Sequence, residues 1–232
     1  MMLAGLSRSD HAGAPAYRTI PSHTPPQDTN AMQLLTSAGS PYVRKARILI
    51  RERGLTDQVT EVPTKALADG DAHLAANPLG KIPALILDDG TTLVDSPVVC
   101  EYLDTLGTAG SPVFPASGAA RWGALSLQAL GDGICDSAVL LRLEGQRPQA
   151  HHSPLWTQRW TASIERTCAK LNGDIGLLGG DLSIGQIAVA VALDYVDFRH
   201  PDFGWASRYP MLSAWVKALS GRASFEATAP SD

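Results

Sequence analysis

Residues 32–45 read Met-Gln-Leu-Leu-Thr-Ser-Ala-Gly-Ser-Pro-Tyr-Val-Arg-Lys, and this stretch decides the fold of the first part of the chain. The apolar-rich run at 32–36 predicts a short β-strand, and Gly39 indicates a turn after it. Ser40 suits the N-cap of a helix, and Pro41 suits the first helical position, where its missing N–H is harmless. The helix then repeats apolar residues on one face, at Val43, Ala46, Leu49 and Ile50.

The next sixty residues extend this unit into a small domain. Strands are predicted at 59–62, 83–87 and 91–94, and helices at 65–76 and 95–106. The first two strands are expected to be parallel, because a helix joins them. Asp88-Asp89-Gly90 predicts a hairpin between the last two strands, and Asp95 is the expected cap of the last helix. The order of elements is therefore βαβαββα.

The remainder of the chain differs in composition on both sides of this domain. Residues 1–31 contain four prolines and little apolar periodicity, which predicts a disordered tail. Residues 108–118 are rich in Gly, Pro and Ser, which is typical of a linker. Beyond the linker the periodicity predicts only helices, at 120–143, 154–171, 183–198 and 210–219. We therefore expect an α+β protein with a βαβαββα domain at 32–107 and an all-helical domain at 119–232.

Composition excludes several classes of function. The chain has 232 residues, 44% hydrophobic and 18% charged, with a net charge of −4 and no basic run, so nucleic acid and anionic membrane are not expected partners. Three scattered cysteines without a Cys-x-x-Cys pair argue against disulfides, a zinc site and a dithiol site, so no metal is expected. Neither a membrane span nor a signal peptide is apparent, which favours a soluble, cytoplasmic protein.

Three motifs occur in order along the predicted βαβαββα domain. They are Ser37-Ala38-Gly39-Ser40-Pro41-Tyr42-Val43-Arg44-Lys45, Asn77-Pro78-Leu79-Gly80-Lys81-Ile82-Pro83, and Asp95-Ser96-Pro97 with Glu101-Tyr102-Leu103 downstream. With the order of elements, they resemble the cytosolic glutathione transferases over about residues 32–225. The first motif is similar to that of a bacterial group with Ser-Pro-(Phe or Tyr)-Val-Arg-Lys. The resemblance implies a thioredoxin-like first domain, glutathione as co-substrate and a homodimer.

Ser40 is the first candidate catalytic residue. A helix N-terminus carries partial positive charge, and a thiol placed there is shifted toward the reactive thiolate. The resemblance implies that the hydroxyl of a serine in this Ser-Pro setting activates the thiol of glutathione. In other branches of the family the matching residue lies three positions earlier, at Ser37. The alternative interpretation is that Ser40 only caps the helix.

The other two motifs supply candidate glutathione-binding residues. The resemblance implies a cis peptide bond before Pro83, which exposes the backbone of Ile82 to the cysteinyl part of glutathione. Lys81 either reaches a carboxylate of the ligand or is solvated. The resemblance also assigns the γ-glutamyl end to Asp95 and Ser96, the first for its ammonium and the second for its carboxylate. An ordinary loop proline and simple helix capping are the alternatives.

Two further binding regions stay open on sequence grounds. The glycyl carboxylate of glutathione needs a cation, and Lys65 and His73 are the candidates. A histidine such as His73 is, however, more often solvated at the surface than bound to a ligand. The pocket for a small hydrophobic electrophile has candidates in the helical domain: Trp122, Asp132, Asp136, Arg142 and Trp205. Core packing explains the two tryptophans equally well.

The leading functional hypothesis is a detoxification reaction that conjugates the thiolate of glutathione to an electrophile. The alternative is a non-catalytic glutathione- or partner-binding protein on the same fold. A glutathione-dependent redox enzyme needs a cysteine between Ser37 and Ser40, where none occurs. An isomerase relative has Ser-Ser-Cys where this chain has Ser37-Ala38-Gly39, which argues against that activity.

Overall fold

The computed structural model describes residues 31–64 and 71–232, so the predicted tail before Ala31 and the candidate Lys65 lie outside the described residues. Four strands are present: β1 (Met32–Thr36), β2 (Val59–Pro63), β3 (Ala84–Ile86) and β4 (Thr92–Val94). Helices surround and follow them: α1 (Pro41–Glu52), α2 (Asp71–Ala76), α3 (Ser96–Leu106), α4 (Gly118–Gly145), α5 (Pro154–Gly173), α6 (Ile184–Arg199), α7 (Trp205–Arg208), α8 (Pro210–Ser220) and α9 (Ala223–Glu226).

The strands form one mixed sheet in the order β2-β1-β3-β4. β1 is parallel to β2, as expected for strands joined by a helix, and antiparallel to β3, which pairs antiparallel with β4. Helices α1 and α3 bury their apolar faces in a core shared with the sheet, which includes Leu34, Leu49, Leu85, Val99 and Leu103. This arrangement confirms the thioredoxin-like βαβαββα fold.

The second half of the described chain is helical and is built around α6. Every side chain from Ile187 to Leu193 in this helix is fully buried. A capping box forms at its start, because Ser183 Oγ accepts from Gln186 N and Gln186 Oε1 accepts from Ser183 N. Helix α4 packs very closely on α6 at Gly131, where an added Cβ would lie 2.5 Å from the backbone of Ala188. The predicted α+β class with a helical second part is thereby confirmed.

Helix α4 is long and apolar enough to cross a membrane by length and composition alone. In its most apolar window, 44% of the residues are buried inside this same chain. Core helices of soluble proteins commonly have this length and composition, so this feature is weak evidence for a membrane protein.

A buried ion pair fixes the segment that joins the two halves. Arg53 Nε, at the end of α1, lies 2.9 Å from Asp104 Oδ1 in α3, and both side chains are almost fully buried. The Asp104 carboxylate also accepts from the backbone N–H groups of Val113 and Phe114, at 3.0 Å each. The Arg53 guanidinium donates to the carbonyl of Gly110 at 2.6 Å. Because buried charges need partners, this network orders the linker against the first half.

Candidate functional site

The sheet register brings the three motifs to one place. Leu35 pairs with Ala84, and Ala84 pairs with Val94. The turn that follows β1, the residues that precede β3 and the residues that follow β4 therefore share one end of the sheet. These are the segments 37–40, 82–83 and 95–96 of the predicted site. Ile82 also belongs to the same apolar cluster as Val43, which lies in the first turn of α1.

Ser40 caps α1 as the sequence predicts. Its Oγ accepts from Val43 N at 3.3 Å, and its own N–H donates to the carbonyl of Ser37 at 3.1 Å. Within the described ranges, nothing accepts the proton of the Ser40 hydroxyl. The oxygen is thus held by the helix end while the O–H remains available to a ligand. Ser37 begins the same turn, so both candidate serines lie on it.

The loop before β3 presents the backbone of Ile82. The Ile82–Pro83 bond is cis, as the family resemblance implied. Asn77 shapes the loop, because its side chain donates to the carbonyl of Lys81 at 2.7 Å and accepts from Leu79 N at 3.0 Å. Over residues 31–64 and 71–232, the Ile82 N–H and carbonyl have no hydrogen-bond partner. The Lys81 side chain is exposed.

Asp95 and Ser96 begin α3 in an unusual geometry. Asp95 has φ of 68°, a left-handed value that side chains rarely adopt, and such outliers concentrate at functional sites. Its Oδ1 accepts from Ser96 N at 2.7 Å. Ser96 is 1% exposed, and its Oγ is buried without a partner among the residues described. The resemblance assigned Ser96 to a ligand carboxylate, but here the Asp95 carboxylate occupies the Ser96 N–H.

His73 differs from the expectation of a solvated residue. It is 6% exposed, and neither ring nitrogen finds a partner in the part of the chain that the structure describes. The residues before it in sequence, 65–70, lie outside that part. Because His73 is buried, its ring is less accessible to a ligand carboxylate than a surface side chain would be.

Contacts between α1 and the helical half set the orientation of the site. Lys45, with no exposed side-chain area, forms an ion pair with Asp132 of α4. Tyr42 O–H donates to Asp136, one turn further along α4. Burial raises the pKa of Asp132, and the positive charge of Lys45 acts against that rise. Burial and the hydrogen bond to Asp136 hold the pKa of Tyr42 far above its usual value, so its proton stays in place.

The pocket candidates lie in different surroundings. Trp205 is 1% exposed and belongs to the core of the helical half, which supports the core-packing interpretation for it. Trp122 is 69% exposed near the start of α4. Asp132 and Asp136 lie between the two halves, against α1. Sequence reasoning missed Arg199, which reaches the turn at Gly39 from the end of α6.

The three cysteines, Cys100, Cys135 and Cys168, are buried and unpaired. Burial raises the pKa of Cys100 and of Cys168 to about 12, and it raises the pKa of Cys135 as well. Thiols with these pKa values stay protonated near neutral pH and are poor nucleophiles. The described residues contain no cluster of side chains suited to a metal ion.

Known proteins with similar sequences identify the family. Residues 39–106 match the glutathione S-transferase N-terminal domain, and residues 154–218 match the glutathione S-transferase C-terminal domain. The GST-like protein YibF of Escherichia coli K12, which is uncharacterized, is 34% identical over 86% of this chain and 98% of its own. The chain belongs to the glutathione S-transferase family.

Solved structures of the family carry glutathione. A member from Pseudomonas fluorescens Pf-5 with bound glutathione is 41% identical, with a TM-score of 0.84 over 87% of this chain and 100% of its own. The Pf-5 protein is also known with bound S-(propanoic acid)-glutathione. A transferase from Methylobacillus flagellatus KT with bound glutathione is 34% identical, with a TM-score of 0.81 over 87% of this chain and 100% of its own.

Proposed function

We propose that this protein is a glutathione transferase that joins the thiolate of glutathione to a small electrophile. The observation that carries the proposal is Ser40, which caps α1 through its oxygen and keeps its proton for a ligand. Glutathione bound in relatives that share the fold supports the same conclusion. The homodimer that the resemblance implies and the cytoplasmic location that the sequence favours belong to this proposal.

Each motif has a separate task in binding. The unpaired N–H and carbonyl of Ile82 are suited to the backbone of the cysteinyl residue, in the manner of an added strand. The buried Ser96 hydroxyl and the start of α3 are suited to the γ-glutamyl carboxylate. Asp95 then releases Ser96 N–H and accepts from the γ-glutamyl ammonium instead. The thiol is thereby directed to the turn at Ser40.

The chemistry needs no protein nucleophile. The thiol of glutathione gives its proton to solvent, and the Ser40 O–H donates to the resulting thiolate. Sulfur forms a bond to the electrophilic carbon, and the displaced electron pair leaves with a leaving group in a substitution or moves to the neighbouring carbon in an addition. The protein contributes proximity and a lowered thiol pKa. The high pKa values of the buried cysteines argue against a redox function that uses a protein thiolate.

A pH titration of the bound thiol tests the proposed function. We expect the ultraviolet absorbance of the thiolate in the complex to appear at a pH about two units below the value of roughly 8.5 for a free cysteine thiol. Turnover with an activated aryl halide is expected to follow the same titration. A bound thiol that titrates like the free tripeptide, with no turnover, would instead favour a non-catalytic binding protein.

The Ser96 hydroxyl is expected to contribute directly to glutathione affinity. Ser96→Ala removes a donor to a charged carboxylate, so we expect the dissociation constant measured by calorimetry to rise roughly 10-fold. Stability should change little, because the hydroxyl has no partner within the described chain. Ser126→Ala, at an exposed position on α4, is the control. An unchanged dissociation constant in Ser96→Ala would place the γ-glutamyl end elsewhere.

A further inference from the structure

Arg199 lies directly against the turn that carries the candidate catalytic serine. A Cβ added at Gly39 would be 2.6 Å from Nη2 of Arg199, so the guanidinium touches the residue that precedes Ser40. This approach is possible only because position 39 has no side chain. The guanidinium of Arg199 therefore lies against the turn that carries Ser40, on the side of the helical half.

The guanidinium of Arg199 is held in place, but not all of its hydrogen-bond donors have a partner within the described residues. It stacks on the ring of Phe198, with 4.0 Å between Cζ and the ring centroid. Its Nε is buried and lacks a partner in the described ranges, and its Nη1 lies 2.6 Å from Asp232 Oδ1. An arginine that is stacked in this way presents a planar edge suited to a carboxylate.

Other groups around Arg199 reinforce its positive charge. Burial raises the pKa of Tyr195, one turn earlier on α6, and the positive charges of Arg142 and Arg199 both act against that rise. Two guanidinium groups therefore lie near the same phenol. The neighbouring Asp194 is already paired with Arg44, at 2.7 Å. The helical side of the turn at Gly39 thus carries the positive charge of Arg199.

Asp232 occupies this cationic edge with a carboxylate of the chain itself. Its side chain is 84% exposed, and the carbonyl of the preceding Ser231 would lie 3.1 Å from a Cβ at Gly39. Because the Asp232 side of this ion pair is exposed, the pair contributes little free energy, so a ligand carboxylate can displace Asp232. The position of Asp232 marks where such a ligand group would bind.

We propose that the electrophile of this transferase carries a carboxylate, which Arg199 binds in place of Asp232. The proposal rests on the proposed function and names its substrate class: short unsaturated carboxylic acids fit the chemistry. The glutathione thiolate adds to the β-carbon, the π electron pair moves to the α-carbon, and that carbon takes a proton from water. No bond to a leaving group breaks, and no oxidant or reductant is required.

Binding of two matched glutathione adducts tests the proposal without requiring turnover. The probes are S-(2-carboxyethyl)glutathione and its neutral amide, S-(2-carbamoylethyl)glutathione, with glutathione itself as reference. We expect calorimetry to show that the protein binds the carboxylate roughly 10-fold more tightly than the amide, as for a charge-assisted hydrogen bond. Arg199→Met should abolish this preference and weaken binding of the acid adduct more than binding of glutathione.

Two more variants sharpen the test. Asp232→Asn removes the competing carboxylate at an exposed position, so it should tighten binding of the acid adduct and leave binding of the amide unchanged. Arg166→Met, at an exposed arginine of α5, should alter nothing. Equal affinities for both adducts in the unmodified protein would overturn the proposal, as would an Arg199→Met variant that loses glutathione affinity to the same extent. A protein that does not bind glutathione at all would contradict the proposed transferase function itself, and not only the preference for a carboxylate.

Discussion

Replacing Ser40 with alanine is expected to raise the pKa of the bound glutathione thiol by about one to two units and to slow conjugation at least roughly 10-fold near neutral pH. The expectation follows from the Ser40 oxygen, which accepts from Val43 N and leaves the O–H to donate to the thiolate. A hydrogen bond to a charged group contributes about 1.5–3 kcal/mol, and one pKa unit corresponds to about 1.4 kcal/mol. Absorbance titration and kcat/KM against pH measure the two effects.

The pH dependence distinguishes this role from a purely structural one. If Ser40 acts by lowering the thiol pKa, the deficit of the alanine variant should shrink as the pH rises above the pKa of the free thiol. A folding defect would leave the deficit at all pH values. Alanine also removes the helix cap, which costs about 1 kcal/mol, whereas glycine at an N-cap costs only a few tenths. Ser40→Gly therefore removes the hydroxyl with less damage to α1.

Two other variants complete the experiment. Ser40→Thr keeps a hydroxyl and should retain a lowered thiol pKa, whereas Ser37→Ala is the matched control on the same turn. The prediction fails if Ser37→Ala reproduces the whole effect and Ser40→Ala does not. It also fails if neither substitution moves the thiol pKa, because the N-terminus of α1 then suffices to stabilise the thiolate.

Local signals in the sequence predicted the elements that build the site. Ser40-Pro41 predicted the start of α1, and Asp88-Asp89-Gly90 predicted the turn between β3 and β4. The helix predicted at 183–198 begins at Ile184, with Ser183 as its cap. Each signal depends on residues within a few positions of one another, so it can be recognised without knowledge of the tertiary structure. The short helices α7 and α9 lack such periodicity, since one turn is too short to display it.

Contacts between distant segments could not be predicted in the same way. Lys45 looked like part of a family motif, and nothing near it in sequence indicated Asp132 as its partner. Arg199 follows the helix predicted at 183–198, and nothing near it in sequence indicated that it lies against Gly39. The burial of His73 was also unexpected. These features follow from how α1 packs against α4 and α6, and local sequence patterns carry no information on that packing.

Replacing Lys45 with methionine is expected to lower the free energy of unfolding by about 3–5 kcal/mol at neutral pH. Lys45 is completely buried between the two halves, and its ammonium neutralises Asp132. Methionine fills a similar volume but leaves the carboxylate without its counter-ion. Chemical denaturation measures this loss of unfolding free energy. Because α1 packs against α4, the substitution should destabilise both halves of the protein.

The pH dependence of this loss has a definite sign. Burial already raises the pKa of Asp132, and without the charge of Lys45 that pKa rises further. A carboxyl with a raised pKa in the folded state favours folding at low pH, and this contribution is lost as the pH rises through that pKa. The loss caused by Lys45→Met should therefore be largest at neutral pH and shrink on acidification. In Lys45→Met/Asp132→Asn the buried charge is absent, so the loss should be smaller and nearly independent of pH. Equal losses in the single and double variants would show that the lysine stem, rather than its charge, stabilises the junction between α1 and α4.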